Sequence, residues 1–335
     1  MIHTMRRVWK IWIPILLLVV VAVVLSQTRF VRLINRHAHE SVYVVLKATG
    51  QSMEFWQIVR AGIQVAATEY DIEPKIVGPE WEKDVDKQIE ILGQVIKKKP
   101  DAILLAASDY KRLVPLAEKA VKEGITIVTL DSALDSDAPV SFVATDNVAA
   151  GRKAGAEIAG LVPHGRPIAI ISHIRGVATA IDREKGVRDA LSDAGRSAPV
   201  GTFYSENDFD IAYRETKKLL AEYPNLGGIV ALNENSAIGT GRALRDAGAA
   251  GRVKLVGFDN SQEEIEFLED GVVQALIVQK PFNMGYLGIR TVVQALRGEK
   301  VPRVIHTESV LVRKEDMFTP ENQKLLFPIL RDRQE

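Results

Sequence analysis

The spacing of hydrophobic positions along this chain changes repeatedly between two patterns. Runs such as "SVYVVLKA" (41–48), "DAILLAAS" (101–108) and "ITIVTLD" (125–131) are continuously apolar, as strands buried on both faces are. Between them the apolar residues recur every third or fourth position. In "FWQIVRAGIQVAATEY" they are Phe55, Ile58, Val59, Ile63 and Ala66, which predicts a helix with one buried face. Pro100 and Gly124 follow two further helical stretches as stop signals. Strand and helix in alternation predict a parallel sheet covered by helices on both sides.

The order then begins again. "RPIAIISHI" answers "SVYVVLKA", and "YRETKKLLAEYPNLGGIVALNE" answers "IEILGQVIKKKPDAILLAAS", with a proline before the strand in each. The period of about 125 residues exceeds any solenoid unit and implies two similar α/β lobes. Asp131 in "VTLDS" and Asp259 in "VGFDN" are equivalent positions, each closing an apolar strand. Ligands of open parallel sheets bind beyond the carboxyl ends of the strands. Two facing lobes would aim both acids into one gap. A carboxylate accepts several hydrogen bonds and can take two adjacent hydroxyls, so the pair suits a sugar or polyol better than an anion. The alternative is that each acid caps a helix or turn.

The N-terminus breaks the α/β pattern. After the basic "MRRVWK", residues 11–25 are unbroken apolar sequence, and the uncharged stretch continues to Thr28. That length approaches the roughly 20 residues of a bilayer span. We read residues 1–28 as a signal anchor or transmembrane helix and 29–41 as a juxtamembrane linker. A cleaved signal peptide is the alternative, although no small-x-small cleavage site follows the run.

Composition narrows the function classes. The 335 residues carry 43 Lys and Arg against 43 Asp and Glu, so the basic footprint of a nucleic-acid binder is missing. There is no cysteine, which excludes disulfides, thiolate metal sites and a cysteine nucleophile. No phosphate-binding Gly-x-x-x-x-Gly-Lys-Ser/Thr and no Gly-x-Ser-x-Gly elbow occurs, and "GTGRALRDAG" lacks the third glycine of a dinucleotide fingerprint. His37 and His39 stand apart from the other histidines, so no metal site or cofactor is expected.

Taken in order, "VTLDS", "VATDNVAAGRKAG", "IDREKGVRDAL", "IVALNENSAIGTGRAL", "LVGFDNSQEE" and "ALIVQKPFNMGYLG" resemble the type I periplasmic binding proteins of the ribose/galactose sugar-binding family, the substrate-binding proteins of bacterial ABC transporters. The resemblance runs from about residue 41 to 311. It implies two three-layer Rossmann-like lobes with parallel sheets, joined by a three-strand hinge. The lobes would comprise 42–144 plus 280–306 and 147–278 plus 307–330, with crossings near 144–147, 278–280 and 305–308. By position, Phe55 and Trp56 would stack on the sugar ring, and Asp131 and Asp259 would accept from its hydroxyls. Asn233 and Arg183 would bond ring or hydroxyl atoms, Phe258 would pack on the ring, and Gln279 would act beside the hinge. Asn207 to Phe209 lies near a further contact of the family. A helix cap for Asn233 and a surface ion pair for Arg183 are the alternatives.

Two departures count against ribose itself. Ser132 and Ile181 stand where ribose binders have arginines, and Lys47 and Arg175 are candidate replacement donors. The function implied is non-enzymatic capture of a neutral sugar or cyclic polyol outside the bacterial cell membrane, for delivery to an ABC permease. The alternative is a membrane-anchored sensing subunit that signals through a two-component histidine kinase. A DNA-binding repressor would carry a helix-turn-helix where this chain has the apolar segment.

Overall fold

The computed structural model describes residues 40–50 and 54–327. The expected N-terminal helix lies outside them. Among the described residues, no helix is long and apolar enough to cross a membrane.

The first sheet contains β1 (Val42–Val45), β2 (Lys75–Val77), β3 (Ala102–Leu105), β4 (Thr126–Leu130), β5 (Ser141–Thr145) and β11 (Val304–Thr307), in the order β2-β1-β3-β4-β5-β11. The second contains β6 (Ile168–Ser172), β7 (Thr202–Tyr204), β8 (Gly228–Ala231), β9 (Lys254–Phe258), β10 (Ala275–Val278) and β12 (Val310–Arg313), in the order β7-β6-β8-β9-β10-β12. The two orders match position for position, which is the repeat seen in the sequence.

One expectation needs correction. Every pairing in the first sheet is parallel, but β12 runs antiparallel to β10. β10 ends at the crossing between the lobes and β12 begins there, only Glu308 and Ser309 after β11, so β12 runs back along β10 from the end at which β10 leaves, with Val278 opposite Val310.

Helices cover both faces of each sheet. In the first lobe, α1 (Glu54–Tyr70) and α9 (Pro281–Leu296) pack on one face, with Trp56, Ile63, Met284 and Val292 in the core. α2 (Val85–Lys97) and α3 (Val114–Lys122) supply Leu92, Ile96 and Ala117 to the other. In the second lobe, α4 (Asn147–Leu161) and α5 (Ala178–Asp193) cover one face. α6 (Phe209–Glu222), α7 (Glu234–Asp246) and α8 (Gln262–Glu269) cover the opposite one, and the short α10 (Pro320–Leu326) adds Leu326 there. Burying each large aliphatic side chain contributes about 1.5–3 kcal/mol, and the strands β1, β3, β6 and β8 are buried along their whole length.

The chain leaves the first sheet after Thr145, returns after Val278 and leaves again after Thr307. At these crossings the Thr145 hydroxyl donates to Gln279 Oε1 at 2.9 Å and lies 3.5 Å from the Thr307 hydroxyl. The three connecting strands are thus tied together by side chains at the point where the lobes meet.

The closest helix pairs are joined through glycine. A methyl group at Gly151 of α4 would overlap the Arg183 carbonyl of α5, and one at Gly186 of α5 would overlap the Val148 carbonyl of α4. Gly62 of α1 and Gly285 of α9 meet Phe282 and Val59 in the same manner.

Candidate functional site

In both sheets the order of the strands reverses beside the first one, β1 or β6, so a crevice forms at the carboxyl ends of the neighbouring strands. Asp131 follows β4, and Asp259 follows β9. Each backbone N–H donates to the adjacent strand, Asp131 to Val143 O at 2.9 Å and Asp259 to Ile277 O at 3.1 Å. Both residues adopt the left-handed conformation, with φ of 61° and 79°. Aspartate tolerates that region better than most residues, yet the strain still costs about 1–3 kcal/mol. The same left-handed acid therefore stands at the same point of both lobes.

The two acids line one cavity with Lys47, Phe55, Trp56, Glu82, His173, Thr179, Arg183, Asn233 and Gln279. With the lobes as they stand the cavity is small, about 30 Å³, well below the roughly 300–1,000 Å³ of typical small-molecule sites. Its lining is mostly polar and charged.

Lys47 Nζ lies 2.6 Å from Asp131 Oδ2, and both side chains are almost fully buried. Asp259 accepts from Gln279 Nε2 at 2.6 Å through Oδ1 and from the Glu234 N–H at 3.0 Å through Oδ2. Burial raises its affinity for a proton, while Arg183 and the Gln279 bond pull it back. Gln279 thus bonds both a threonine at the crossing between the lobes and the second-lobe acid.

Arg183 is buried and makes no ion pair. Its Nε donates to Asn147 Oδ1 at 2.8 Å and Nη1 to the Leu232 carbonyl at 2.7 Å, and the residue lines the cavity. Its guanidinium lies 4.5 Å over the Phe258 ring. Asn233 is both cap and cavity wall. Its Oδ1 accepts from the Ser236 N–H at 3.2 Å, and its Nδ2 donates to Asn207 Oδ1 at 2.6 Å.

Phe258 is the exception among the expected ligand contacts. It is fully buried, packs with Ala150, Ile158 and Val187, and does not line the cavity. Successive strand residues point to opposite faces, and Phe258 takes the α4–α5 face; it supports Arg183 from beneath. Arg175 is also elsewhere, stacked 4.1 Å over the Tyr204 ring. Of the positions compared with ribose-binder arginines, Ile181 is half exposed and Ser132 is buried with its hydroxyl unpartnered.

Phe55 and Trp56 form an edge-on pair with ring centres 5.0 Å apart. Trp56 Nε1 donates to Glu82 Oε1 at 2.6 Å, and Asn207 Nδ2 donates to Glu82 Oε2 at 3.0 Å from the opposite lobe. Burial raises the affinity of Glu82 for a proton against the pull of Lys47 and the Trp56 bond. The sequence pattern did not indicate Glu82, His173 or Thr179. Lys47 is one of the candidate donors read from the sequence, and His173 could have been found from the repeat as its counterpart. The β1–β3–β4 and β6–β8–β9 registers align Val45 with Ile171, and so Lys47 with His173, when Asp131 is matched to Asp259. Glu82 lies in the loop after β2, where the repeat gives no guide.

The lobes are closed on each other. Besides Asn207–Glu82, the Tyr110 N–H donates to Gly176 O at 2.9 Å, the Phe55 N–H to Glu234 Oε2 at 3.5 Å, and the Gln262 N–H to Glu54 Oε1 at 3.4 Å. Gly176 has φ of 89° and lies against Asp109, so a side chain there would be strained as well as crowded.

The Glu234 carboxyl is pushed up to about 8 by burial, with Asp259 and Glu54 adding to the shift. Such a group holds its proton in the folded protein and loses it when unfolded above the ordinary carboxylate range. Its contribution is therefore fully present below about pH 4.5 and is lost as pH rises to about 8. Stability of the wild type should fall across that window, by at most about 1.4 kcal/mol per pH unit for this group. Glu234→Gln should flatten the profile in urea unfolding measured from pH 5 to 8; an unchanged slope would contradict the assignment.

The profile of the family described as "Periplasmic binding protein domain" matches residues 42–300. This chain belongs to the periplasmic binding protein family. The D-ribose/D-allose-binding protein of Pseudomonas aeruginosa is 32% identical over 292 residues, which are 83% of this chain and 90% of that protein. A sugar transporter structure from Clostridium phytofermentans shares 36% identity with a TM-score of 0.77, covering 82% of this chain and 99% of its own. An ABC transporter solute binding protein from Agrobacterium vitis, solved with bound D-fucose, shares 34% identity with a TM-score of 0.81, covering 86% and 100%. Periplasmic binding proteins of this kind are sugar-binding transport components, not enzymes.

Proposed function

We propose that this protein captures one neutral monosaccharide outside the cytoplasmic membrane and delivers it, enclosed between its lobes, to an ABC transporter. One observation carries the reading: the matched left-handed acids, Asp131 and Asp259, line a single cavity from opposite lobes. A ligand bonded by both acids favours closure, because only the closed arrangement makes both sets of bonds. Phe55 and Trp56 offer the apolar ring faces a wall, and Lys47 and Arg183 supply charged donors. The relatives that bind ribose, allose or fucose support a pentose or hexose. Ser132, which directly follows Asp131 where ribose binders have an arginine, argues against ribose as the preferred one; the half-exposed Ile181 does not line the cavity and carries no weight in that choice. These relatives are transport proteins, and nothing in them favours signalling through a histidine kinase. Membrane attachment through residues 1–28 belongs to the same proposal and rests on sequence alone.

The test is thermal and calorimetric titration of the full-length chain with D-ribose, D-allose, D-arabinose, D-fucose and myo-inositol. A ligand at 100 to 1,000 times its dissociation constant should stabilise the fold by about 2.7–4.1 kcal/mol. Alanine at Asp259 should abolish the effect. No stabilisation by any pentose, hexose or polyol would end this reading.

A further inference from the structure

His173 reaches the cavity with half of its hydrogen-bonding capacity unused. The residue directly follows β6 and is 3% exposed. Its Nε2 lies 3.0 Å from the hydroxyl of Thr179, in the first turn of α5. Its Nδ1 is buried and has no partner. A buried ring nitrogen without a partner is costly, and such groups in native sites ask for an explanation.

The repeat supplies one. His173 occupies in the second lobe the place that Lys47 occupies in the first. Lys47 is paired with the acid of its own lobe, Asp131. His173 has no such pair, because Asp259 is already engaged by Gln279 and by the Glu234 N–H. We propose that His173 is a sugar-recognising residue of the second lobe: its Nδ1 accepts a hydrogen bond from a ligand hydroxyl, while Thr179 holds the ring in place.

The direction of the bond follows from the surroundings. Burial, with Arg183 and Lys47 nearby, holds the imidazole well below its usual proton affinity, so the ring is neutral. The positive field of the two cations favours a bare lone pair on the cavity side. Nε2–H then donates to Thr179 Oγ1, and Nδ1 faces the ligand as an acceptor. A sugar hydroxyl donating to His173 would remain free to accept from a cationic donor of the lining such as Arg183. His173 thereby adds a neutral acceptor to a cavity whose other acceptors are mostly carboxylates, and it selects for a hydroxyl at one ring position.

This inference rests on the proposed sugar reading, and the test separates the two. The full-length wild type, His173→Asn, His173→Gln and His173→Leu are titrated calorimetrically with the tightest sugar of the panel above. Asparagine places an amide oxygen near Nδ1, whereas glutamine places its amide near Nε2 and preserves only the Thr179 contact. The Asn protein should bind within about threefold of wild type, and the Gln and Leu proteins should be weaker by about tenfold or more. Nitrogen NMR of the wild type should show Nδ1 of His173 unprotonated, with a shift on saturation by the sugar. Equal affinities across the series, an Asn protein as weak as the Gln protein, or a protonated Nδ1 would each overturn the proposal. Failure of the wild type to bind any sugar would instead remove the reading beneath it, and the proposal with it.

Discussion

Asp131→Ala is expected to destabilise the ligand-free protein by about 3–5 kcal/mol and to abolish sugar binding at the same time. The stability loss comes from Lys47. Its ammonium lies 2.6 Å from Asp131 in a site where both side chains are at most 6% exposed. Removing the acid leaves a buried charge without a partner, which costs far more than the pair itself contributes. Replacing both members by neutral residues, Lys47→Met with Asp131→Asn, the asparagine tolerating the left-handed backbone as aspartate does, should therefore recover most of the stability while binding stays weakened. Urea unfolding of the two variants, paired with calorimetry, checks both halves. A single variant as stable as the wild type would mean that Lys47 has another anionic partner in solution, with Glu82 the nearest candidate by its electrostatic coupling.

The second large effect is expected at Trp56, which is 1% exposed. Trp56→Ala removes a large aromatic from the α1 core and should cost about 3–5 kcal/mol. Trp56→Phe separates packing from hydrogen bonding. It keeps a flat apolar wall but deletes the Nε1–H that reaches Glu82 at 2.6 Å. Glu82 is then left with Asn207 from the opposite lobe, and the loss should be about 1–3 kcal/mol. The Phe variant should also bind sugar more weakly, because a looser Glu82 weakens a direct bond between the lobes. Equal stability of the Phe variant and the wild type in chemical denaturation would show that this bond carries no net weight.

The architecture was legible because strands buried on both faces and helices buried on one leave different apolar spacings. The repeat then aligned Asp131 with Asp259 without reference to any structure. What the pattern could not convey was local geometry. Phe258 neighbours Asp259 in sequence, but strand alternation turns its ring away from the cavity, beneath Arg183. Arg183 looked equally suited to a surface ion pair, because a charged residue on a helix carries no mark of which way it faces. Glu82 belongs to a loop with no periodicity, and only its partners Trp56 and Asn207 bring it to the site. The antiparallel β12 follows from the chain re-entering the second lobe at the end where β10 leaves it.

The glycines that join α4 to α5 and α1 to α9 bear on how the jaws can move. Where two backbones touch directly, no cushion of side chains remains to slide, so each half travels as a solid block. Motion is then confined to the three threonine- and glutamine-linked strands between the halves, a rotation about a narrow axis rather than a creep of one layer over another. Opening would carry Arg183 away together with the whole of α4, and the guest would lose that half of its grip in a single step.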